Sequence, residues 1–173
     1  MRITYSVAAS RDGFIARKDG DVSWLDEQGI ATEDTGLAEF FSAVDGLIMG
    51  RKTYDFVFDY GMWPYENKLT WVLTSRALQK LDGANLQVSR SIDDVISAAE
   101  QQSLQHLWLL GGGQLASAFL DKQLLSHVSI AEMPIELGEG IPLFARHSLD
   151  DLPCIDKSVQ EKKGFRQLDM LLK

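Results

Sequence analysis

Continuously apolar runs of strand length alternate along this chain with segments whose apolar residues recur at helical spacing. Before Gly46, for example, Leu37, Phe40, Phe41 and Val44 fall at positions i, i+3, i+4 and i+7, which is one face of a helix. The pattern predicts strands over residues 3–9, 46–49, 69–73, 86–88, 106–110, 127–133, 154–160 and 165–172. It predicts helices over residues 37–44, from about 51 onward, from a Ser91 N-cap to about 102, and over 114–125.

Apolar strands joined by helices indicate a parallel sheet covered on both faces, so the sequence predicts an α/β protein. The pattern changes after Ser126, because the last two predicted strands are separated by the turn-like segment 160–164 and not by a helix. We therefore expect these two strands to form an antiparallel hairpin at one edge of a mostly parallel sheet. Residues 134–153, which contain Gly138, Gly140 and Pro142, are expected to be irregular.

Composition narrows the classes of function. Seventeen Lys and Arg residues against 25 Asp and Glu residues give the 173-residue chain a net charge of −8, which argues against a nucleic-acid partner. The length predicts one domain over residues 1–173. Apolar runs fall short of the ~20 residues that span a bilayer, and the N-terminus enters a strand-like segment directly, so a cytoplasmic protein is expected. A single cysteine, Cys154, and three histidines without ligand spacing lead us to expect no metal site.

Three predicted strands end in residues suited to binding phosphate. Strand 106–110 is followed by Gly111-Gly112-Gly113, which lets an anion approach the backbone closely. Strand 46–49 is followed by Gly50 and the cationic pair Arg51-Lys52 with Thr53, and strand 69–73 by Thr74-Ser75-Arg76. Each is expected to lead into a helix, whose N-terminus offers free N–H groups and a positive dipole end. Because the carboxyl ends of parallel strands share one edge of a sheet, the three junctions predict a nucleotide site.

Each junction is also open to a purely structural interpretation. The glycines could serve tight packing, Arg51 and Lys52 could be solvated charges, and Thr74 or Ser75 could cap a helix. Solvated cations at a helix start oppose the helix dipole, which favours an anion there.

The tryptophans give a second signal. Trp71 and Trp108 lie within predicted strands and are expected in the core. Trp24 and Trp63 lie in predicted loops flanked by glycine or proline, where a large aromatic ring often closes a pocket for a flat ligand. The alternative for both is that they cover the core.

Taken in order, these motifs resemble the dihydrofolate reductase-like superfamily, and more closely the riboflavin-biosynthesis reductase family defined by the RibD C-terminal domain. Residues 6–16 resemble the first strand and its S-x-D-G turn, and residues 47–54 the hydrophobic-M-G-R-x-T-[WY] motif. Residues 73–76 are similar to L-[ST]-S, residues 110–115 to the G-G-G turn, and residues 138–144 to G-x-G-x-P-L-F. The matches follow the order of the family over nearly the whole chain.

The resemblance implies a three-layer α/β/α reductase that uses NADPH and that commonly dimerises, here through the C-terminal strands. Residues 12–16 would begin a mobile loop over the site. The cofactor-binding residues implied by position are Ala8, Ala9, Gly50, Arg51, Thr53, Thr74, Ser75, Arg76, Gly111, Gly112, Gly113, Gln114 and Leu115. The first two would line the nicotinamide, the next six the 2′-phosphate and pyrophosphate, and the glycines the pyrophosphate and nicotinamide.

The sequence departs from the family pattern where substrate would bind. By its distance from Arg51, Asp34 is nearest to the catalytic carboxylate that binds the pterin, although the apolar helix pattern points to Thr35 or Gly36 instead. Ser6 stands where riboflavin-pathway reductases carry a lysine, and residues 60–65 replace their substrate loop. We therefore expect a small heterocyclic substrate, pterin-like or pyrimidine-like, that differs from both archetypes. Candidate substrate-binding residues are Asp12, Trp24 and Trp63, and the carboxylates nearest the expected pocket also include Asp59 and Glu66.

Two other functions stay open at this point. One is a non-catalytic module that binds or senses a nucleotide on the same fold. The other is a flavodoxin-like protein that binds FMN, against which stands the lack of a Ser/Thr-rich phosphate loop after the first strand.

Overall fold

In the computed structural model, which describes residues 1–173 apart from the side chain of Thr32, an eight-stranded sheet forms the centre of the chain. The strands are β1 Arg2–Ser10, β2 Phe14–Ala16, β3 Gly46–Gly50, β4 Leu69–Leu73, β5 Leu86–Ser89, β6 His106–Gly111, β7 His127–Met133, β8 Ile141–Pro142, β9 Cys154–Lys162 and β10 Phe165–Leu172. The α-helices are α1 Leu37–Ala43, α2 Arg51–Tyr60, α3 Ile92–Gln101 and α4 Gly113–Asp121. Short 3-10 helices cover Ser23–Gln28, Thr32–Thr35 and Leu149–Asp151.

The large sheet is parallel except at one edge. Its strand order is β5-β4-β3-β6-β1-β7-β10-β9. The six strands from β5 to β7 are parallel, β10 is antiparallel to β7, and β9 is antiparallel to β10. The predicted mostly parallel sheet with a C-terminal antiparallel hairpin at its edge is confirmed.

Helices cover both faces of the parallel part of the sheet. Neighbouring residues of a strand point to opposite faces, so their contacts show which helices lie on each side. On β6, Leu107 belongs to the same apolar cluster as Val95 of α3 and Phe119 of α4. The next residue, Trp108, faces the other side, where its ring centroid lies 5.3 Å from that of Phe40 on α1. Helix α2 packs on this second side as well. The fold is therefore a three-layer α/β/α sandwich, as the resemblance implied.

Two sequence predictions about helices are wrong. The helix predicted to 125 ends at Asp121, because the chain then turns through Gln123, whose φ is 56°. The helix expected to begin at Thr74 is replaced by an irregular segment between β4 and β5, and Thr74 Oγ1 accepts a hydrogen bond from the N–H of Arg76 at 3.1 Å. A hydroxyl at a strand end thus marks a local turn here and not a helix cap.

Two short strands lie where the sequence analysis expects loops. β2 and β8 pair antiparallel, Phe14 with Pro142 and Ala16 with Ile141, as a separate two-stranded sheet. At the hairpin, β9 runs on to Lys162, so the turn is shorter than the predicted 160–164 segment. No helix among the described residues is both long enough and apolar enough to cross a membrane.

Candidate functional site

The structure places the three phosphate-type segments side by side. Strands β4, β3 and β6 are neighbours in the sheet, with Gly50 opposite Leu73 and Met49 opposite Gly111. The residues that follow them therefore meet at the carboxyl edge: 50–53 at the start of α2, 74–76 after β4, and 111–115 at the start of α4. This edge brings together eleven of the cofactor-binding residues that the sequence analysis implies.

Glycine is required at two positions of the turn after β6. Gly111 has a φ of 116°, which side chains rarely tolerate. A Cβ on Gly113 would overlap the carbonyl oxygen of Pro142, so β8 can pack directly on the first turn of α4 only because residue 113 is glycine. At Gly50 and Gly112, by contrast, an added Cβ would meet its nearest neighbours only at 3.7 and 3.9 Å, which leaves room beside the backbone.

Two of the helices that begin at the carboxyl edge of the sheet start from glycine. The N-cap of α2 is Gly50 and that of α4 is Gly112, and glycine has no side chain to accept from the first N–H groups. Helix α3 differs, because Ser91 Oγ accepts from the N–H of Asp94 at 3.0 Å. The N-termini of α2 and α4 can therefore offer N–H donors and the positive dipole end to an anion.

Arg51 joins α2 to the segment after β4. Its Nε donates to Asp55 Oδ1 at 2.6 Å, and its Nη1 donates to the carbonyl oxygen of Ala77 at 2.8 Å. About one turn further along α2, the Tyr54 hydroxyl donates to the carbonyl oxygen of Gln79 in the same segment after β4, at 2.8 Å. These bonds fasten residues 77–79, which directly follow Thr74-Ser75-Arg76, to the first turns of α2.

The end of β1 lies beside the same edge. Ala8 and Ala9 point to opposite faces of the sheet, since Ala9 is buried in the main core and Ala8 packs against the cluster of Trp24, Met133 and Phe165. Only one of the two side chains can therefore line any one face of a ligand.

Asp12 is committed to hydrogen bonds within the chain. Its Oδ1 accepts from Ser10 Oγ at 2.6 Å and from the N–H of Leu137 at 3.0 Å, and its Oδ2 accepts from the N–H of Gly138 at 2.7 Å. Partial burial raises the pKa of the Asp12 carboxyl, but these hydrogen bonds outweigh it and the pKa is lowered overall. Asp12 therefore links the turn after β1 to residues 137–138.

The two loop tryptophans lie in different clusters. Trp24 is fully buried with Met133 and Phe165, and its Nε1 is a buried donor without a hydrogen-bond partner among the described residues. Trp63 is half-buried, donates from Nε1 to the carbonyl oxygen of Glu66 at 3.0 Å and lies 5.1 Å from the Tyr65 ring. The structure therefore does not place Trp24 and Trp63 together on one side of a common pocket.

Asp34 lies in a 3-10 helix before α1 and faces the C-terminal hairpin. Its Oδ2 lies 3.5 Å from Lys163 Nζ, and 36% of the side chain is exposed. The carboxylate is thus directed at the turn between β9 and β10.

Sequence reasoning missed Tyr5, which lies beneath the glycine turn. A Cβ on Gly111 would lie 3.6 Å from Tyr5 Cε2, and the Tyr5 hydroxyl donates to the carbonyl oxygen of Leu143 at 2.9 Å. Burial raises the pKa of this phenol, so it stays a neutral donor. A polar hydroxyl within an apolar strand was the available signal.

Two cavities lie away from this edge of the sheet. One of about 370 Å³, beside Arg2, His127 and Asp169, and one of about 320 Å³, beside Met1 and Lys173, both lie at the amino edge of the parallel strands. Neither is lined by a residue of the three junctions.

In α/β folds with an open, mostly parallel sheet, ligands bind outside the carboxyl ends of the strands, which is where the three junctions lie. The RibD C-terminal domain family matches residues 1–163, and the chain belongs to that family. The uncharacterized protein YwjB of Bacillus subtilis (strain 168) is 32% identical over 140 residues, which cover 80% of this chain and 79% of YwjB. The uncharacterized protein YyaP of the same organism is 29% identical over 154 residues, which cover 83% of this chain and 80% of YyaP.

Solved structures with the same fold include two proteins named for riboflavin biosynthesis or one of its reactions. A protein of Shewanella sp. PV-4, provisionally named a riboflavin biosynthesis protein, is 29% identical with a TM-score of 0.80 and matches over 100% of this chain and 99% of its own. A diaminohydroxyphosphoribosylaminopyrimidine deaminase/5-amino-6-(5-phosphoribosylamino)uracil reductase of Thermotoga maritima matches 99% of this chain and 56% of its own, with a TM-score of 0.78 and 14% identity. At that identity the likeness concerns the fold. The fold is that of the RibD C-terminal domain family, and it is shared with about half of the Thermotoga chain.

Proposed function

We propose that this chain is an NADPH-dependent oxidoreductase that transfers hydride to a small pterin-like or pyrimidine-like heterocycle. The observation that carries the proposal is the meeting of Arg51, the Thr74–Arg76 segment and the uncapped start of α4 at one sheet edge. An acidic chain that gathers cations, hydroxyls and free N–H groups at one point is suited to a ligand with several phosphate charges.

The residues at this edge offer suitable partners for each part of the cofactor. Arg51, Thr74, Ser75 and Arg76 would hold the 2′-phosphate of the adenosine. The N–H groups at the start of α4, with the open backbone at Gly112, would receive the pyrophosphate. Ala8, on the neighbouring strand β1, would line the nicotinamide.

Bound NADPH supplies the hydride, so the protein has to position the reacting atoms and exclude water. Trp24 belongs to the same apolar cluster as Ala8 and would help to exclude water from that face of the sheet. Asp34 has no role in the proposal, because its carboxylate pairs with Lys163.

The proposed substrate class rests on family membership and on the substitution at position 6. The Thermotoga protein is named for reduction of a phosphoribosylaminouracil, which is a pyrimidine. In this chain the resemblance puts Ser6 where such reductases carry a lysine. We propose that the substrate keeps the heterocycle and lacks the phosphate that a lysine would bind.

A homodimer is part of the proposal. β9 is the edge strand of the large sheet and is exposed along most of its length, and its Ile155 and Val159 are 59% and 50% exposed. An unpaired edge with apolar side chains favours pairing with another copy. Light scattering coupled to size-exclusion chromatography gives the mass, and a monomer at micromolar concentration would count against the dimer.

The proposed activity is tested in two stages. Calorimetry should show that NADPH binds the purified protein and binds more tightly than NADH. NADPH oxidation is then followed with pterins, pyrimidine precursors of flavins, quinones and small carbonyl compounds. Binding without turnover on any of them would favour the nucleotide-sensing module, and a yellow purified protein would favour FMN.

A further inference from the structure

Arg51 forms an ion pair with the carboxylate of Asp55 on α2. Asp55 lies one turn later on α2, and its Oδ1 accepts from Arg51 Nε at 2.6 Å. The side chain of Arg51 is 25% exposed and that of Asp55 is 43% exposed, so both charges are at the surface but not fully solvated.

Helix stability does not account for this pair. An ion pair at i and i+4 supports a helix best with the acid nearer the N-terminus and the base nearer the C-terminus. Here the cation occupies the first position of α2, where it opposes the helix dipole, and the acid follows it. The order is the less favourable of the two, and exposed pairs contribute little in any case.

Asp55 occupies one edge of the Arg51 guanidinium, the edge that carries Nε. Arginine binds a phosphate best through two parallel N–H groups of its fork. In this structure Nε is taken by Asp55 and one Nη1–H by the Ala77 carbonyl oxygen. The other Nη1–H and both N–H groups of Nη2 are left for a phosphate, which would then lie close to the charge of the Asp55 carboxylate on the same guanidinium.

We propose that Asp55 is a specificity-determining residue that weakens the preference of this site for a 2′-phosphorylated dinucleotide over an unphosphorylated one. The inference rests on the proposed function. A phosphate monoester carries about −1.5 to −2 charge at neutral pH, and Asp55 lies within one Debye length of any phosphate held by Arg51. Its repulsion acts on NADPH and leaves NADH, which has hydroxyls at this position, almost unaffected.

The test is the variant Asp55→Asn, which keeps the size of the side chain and removes its charge. Calorimetry at about 0.02 M salt should show NADPH binding on the order of three- to tenfold tighter than to the wild type, and NADH binding changed by less than about twofold. At about 0.5 M salt the gain for NADPH should shrink, because salt screens charges at the surface.

Two controls identify the cause. Glu100→Gln makes the same charge change at an exposed position beside Met1, at the opposite edge of the sheet, and should leave both affinities within about twofold. In an Arg51→Ala background, Asp55→Asn should give a clearly smaller gain for NADPH, because the two residues act on the phosphate together.

Several results would overturn the inference. These are an unchanged or weaker affinity of Asp55→Asn for NADPH, an equal gain for NADH, an equal gain in Glu100→Gln, or a full gain in the Arg51→Ala background. If the wild type binds neither dinucleotide at millimolar concentration, the proposed function itself fails and this inference fails with it.

Discussion

The Tyr5 hydroxyl donates a 2.9 Å hydrogen bond to the carbonyl oxygen of Leu143, across 138 positions of the sequence, directly beneath the glycine turn. Tyr5 is fully buried and Leu143 is buried, so the bond ties β1 to the segment after β8 in the dry interior. That segment packs on the start of α4, which makes Tyr5 a support for the proposed pyrophosphate site.

Replacing Tyr5 with phenylalanine should lower the free energy of unfolding by about 1–2 kcal/mol, because a buried carbonyl oxygen loses its donor. Urea denaturation measures the change. Tyr60→Phe removes the same hydroxyl at a side chain that is 72% exposed, and it should leave stability within about 0.5 kcal/mol. Equal effects of the two variants would contradict a role for the buried bond.

Gly113→Ala should be among the most damaging single-methyl changes in the chain. The new Cβ overlaps the Pro142 carbonyl oxygen, which is backbone and cannot rotate away, so we expect a loss of more than about 2 kcal/mol. Gly50→Ala is the matched control, because its Cβ meets nothing closer than 3.7 Å. Thermal melts of the two variants compare them, and a Gly113→Ala protein as stable as Gly50→Ala would show that β8 can move aside.

Asp12 should make stability depend on pH on the acid side. Its pKa is lower in the folded chain than in the unfolded chain, so its contribution is present above the unfolded pKa and is lost as the pH falls through the folded value. The window is therefore below about pH 4. Asp12→Asn should be less stable than the wild type at pH 7, and the gap should close in the acid range. Chemical denaturation across pH measures the gap, with exposed Asp82→Asn as the reference variant.

Much of this architecture is readable from the sequence. The central strands were predictable because each is a continuous apolar run, and the hairpin because no helical pattern separates the last two strands. Gly111 and Arg51 were singled out because each closely follows a buried strand, and the structure places both at the same sheet edge, while their roles in binding stay predictions. These signals are local, since each is carried by a few consecutive residues.

The rest depends on partners far away in the sequence. β2 and β8 contain three and two residues, which is too short for any periodic pattern, and they form only by pairing with each other. The ion pair of Asp34 joins it to Lys163 over 129 positions, so the sequence around Asp34 does not reveal it. The hydroxyl of Thr74 gives the same local signal whether it caps a helix or closes a turn, and the packing of the 74–81 segment on α2 decides between them.

The variant Arg51→Ala tests whether the positive charge of Arg51 contributes to NADPH binding. A charge-assisted hydrogen bond to phosphate contributes about 1.5–3 kcal/mol, so NADPH should bind about 10- to 150-fold more weakly. NADH, which has no 2′-phosphate, should change by less than about twofold. Lys122→Ala is the control, because it removes one cation from an exposed pair with Asp93 on α3. Calorimetry at low salt compares the three proteins. If Arg51→Ala binds both dinucleotides as the wild type does, Arg51 does not hold the 2′-phosphate, because removing its charge would then have cost no binding.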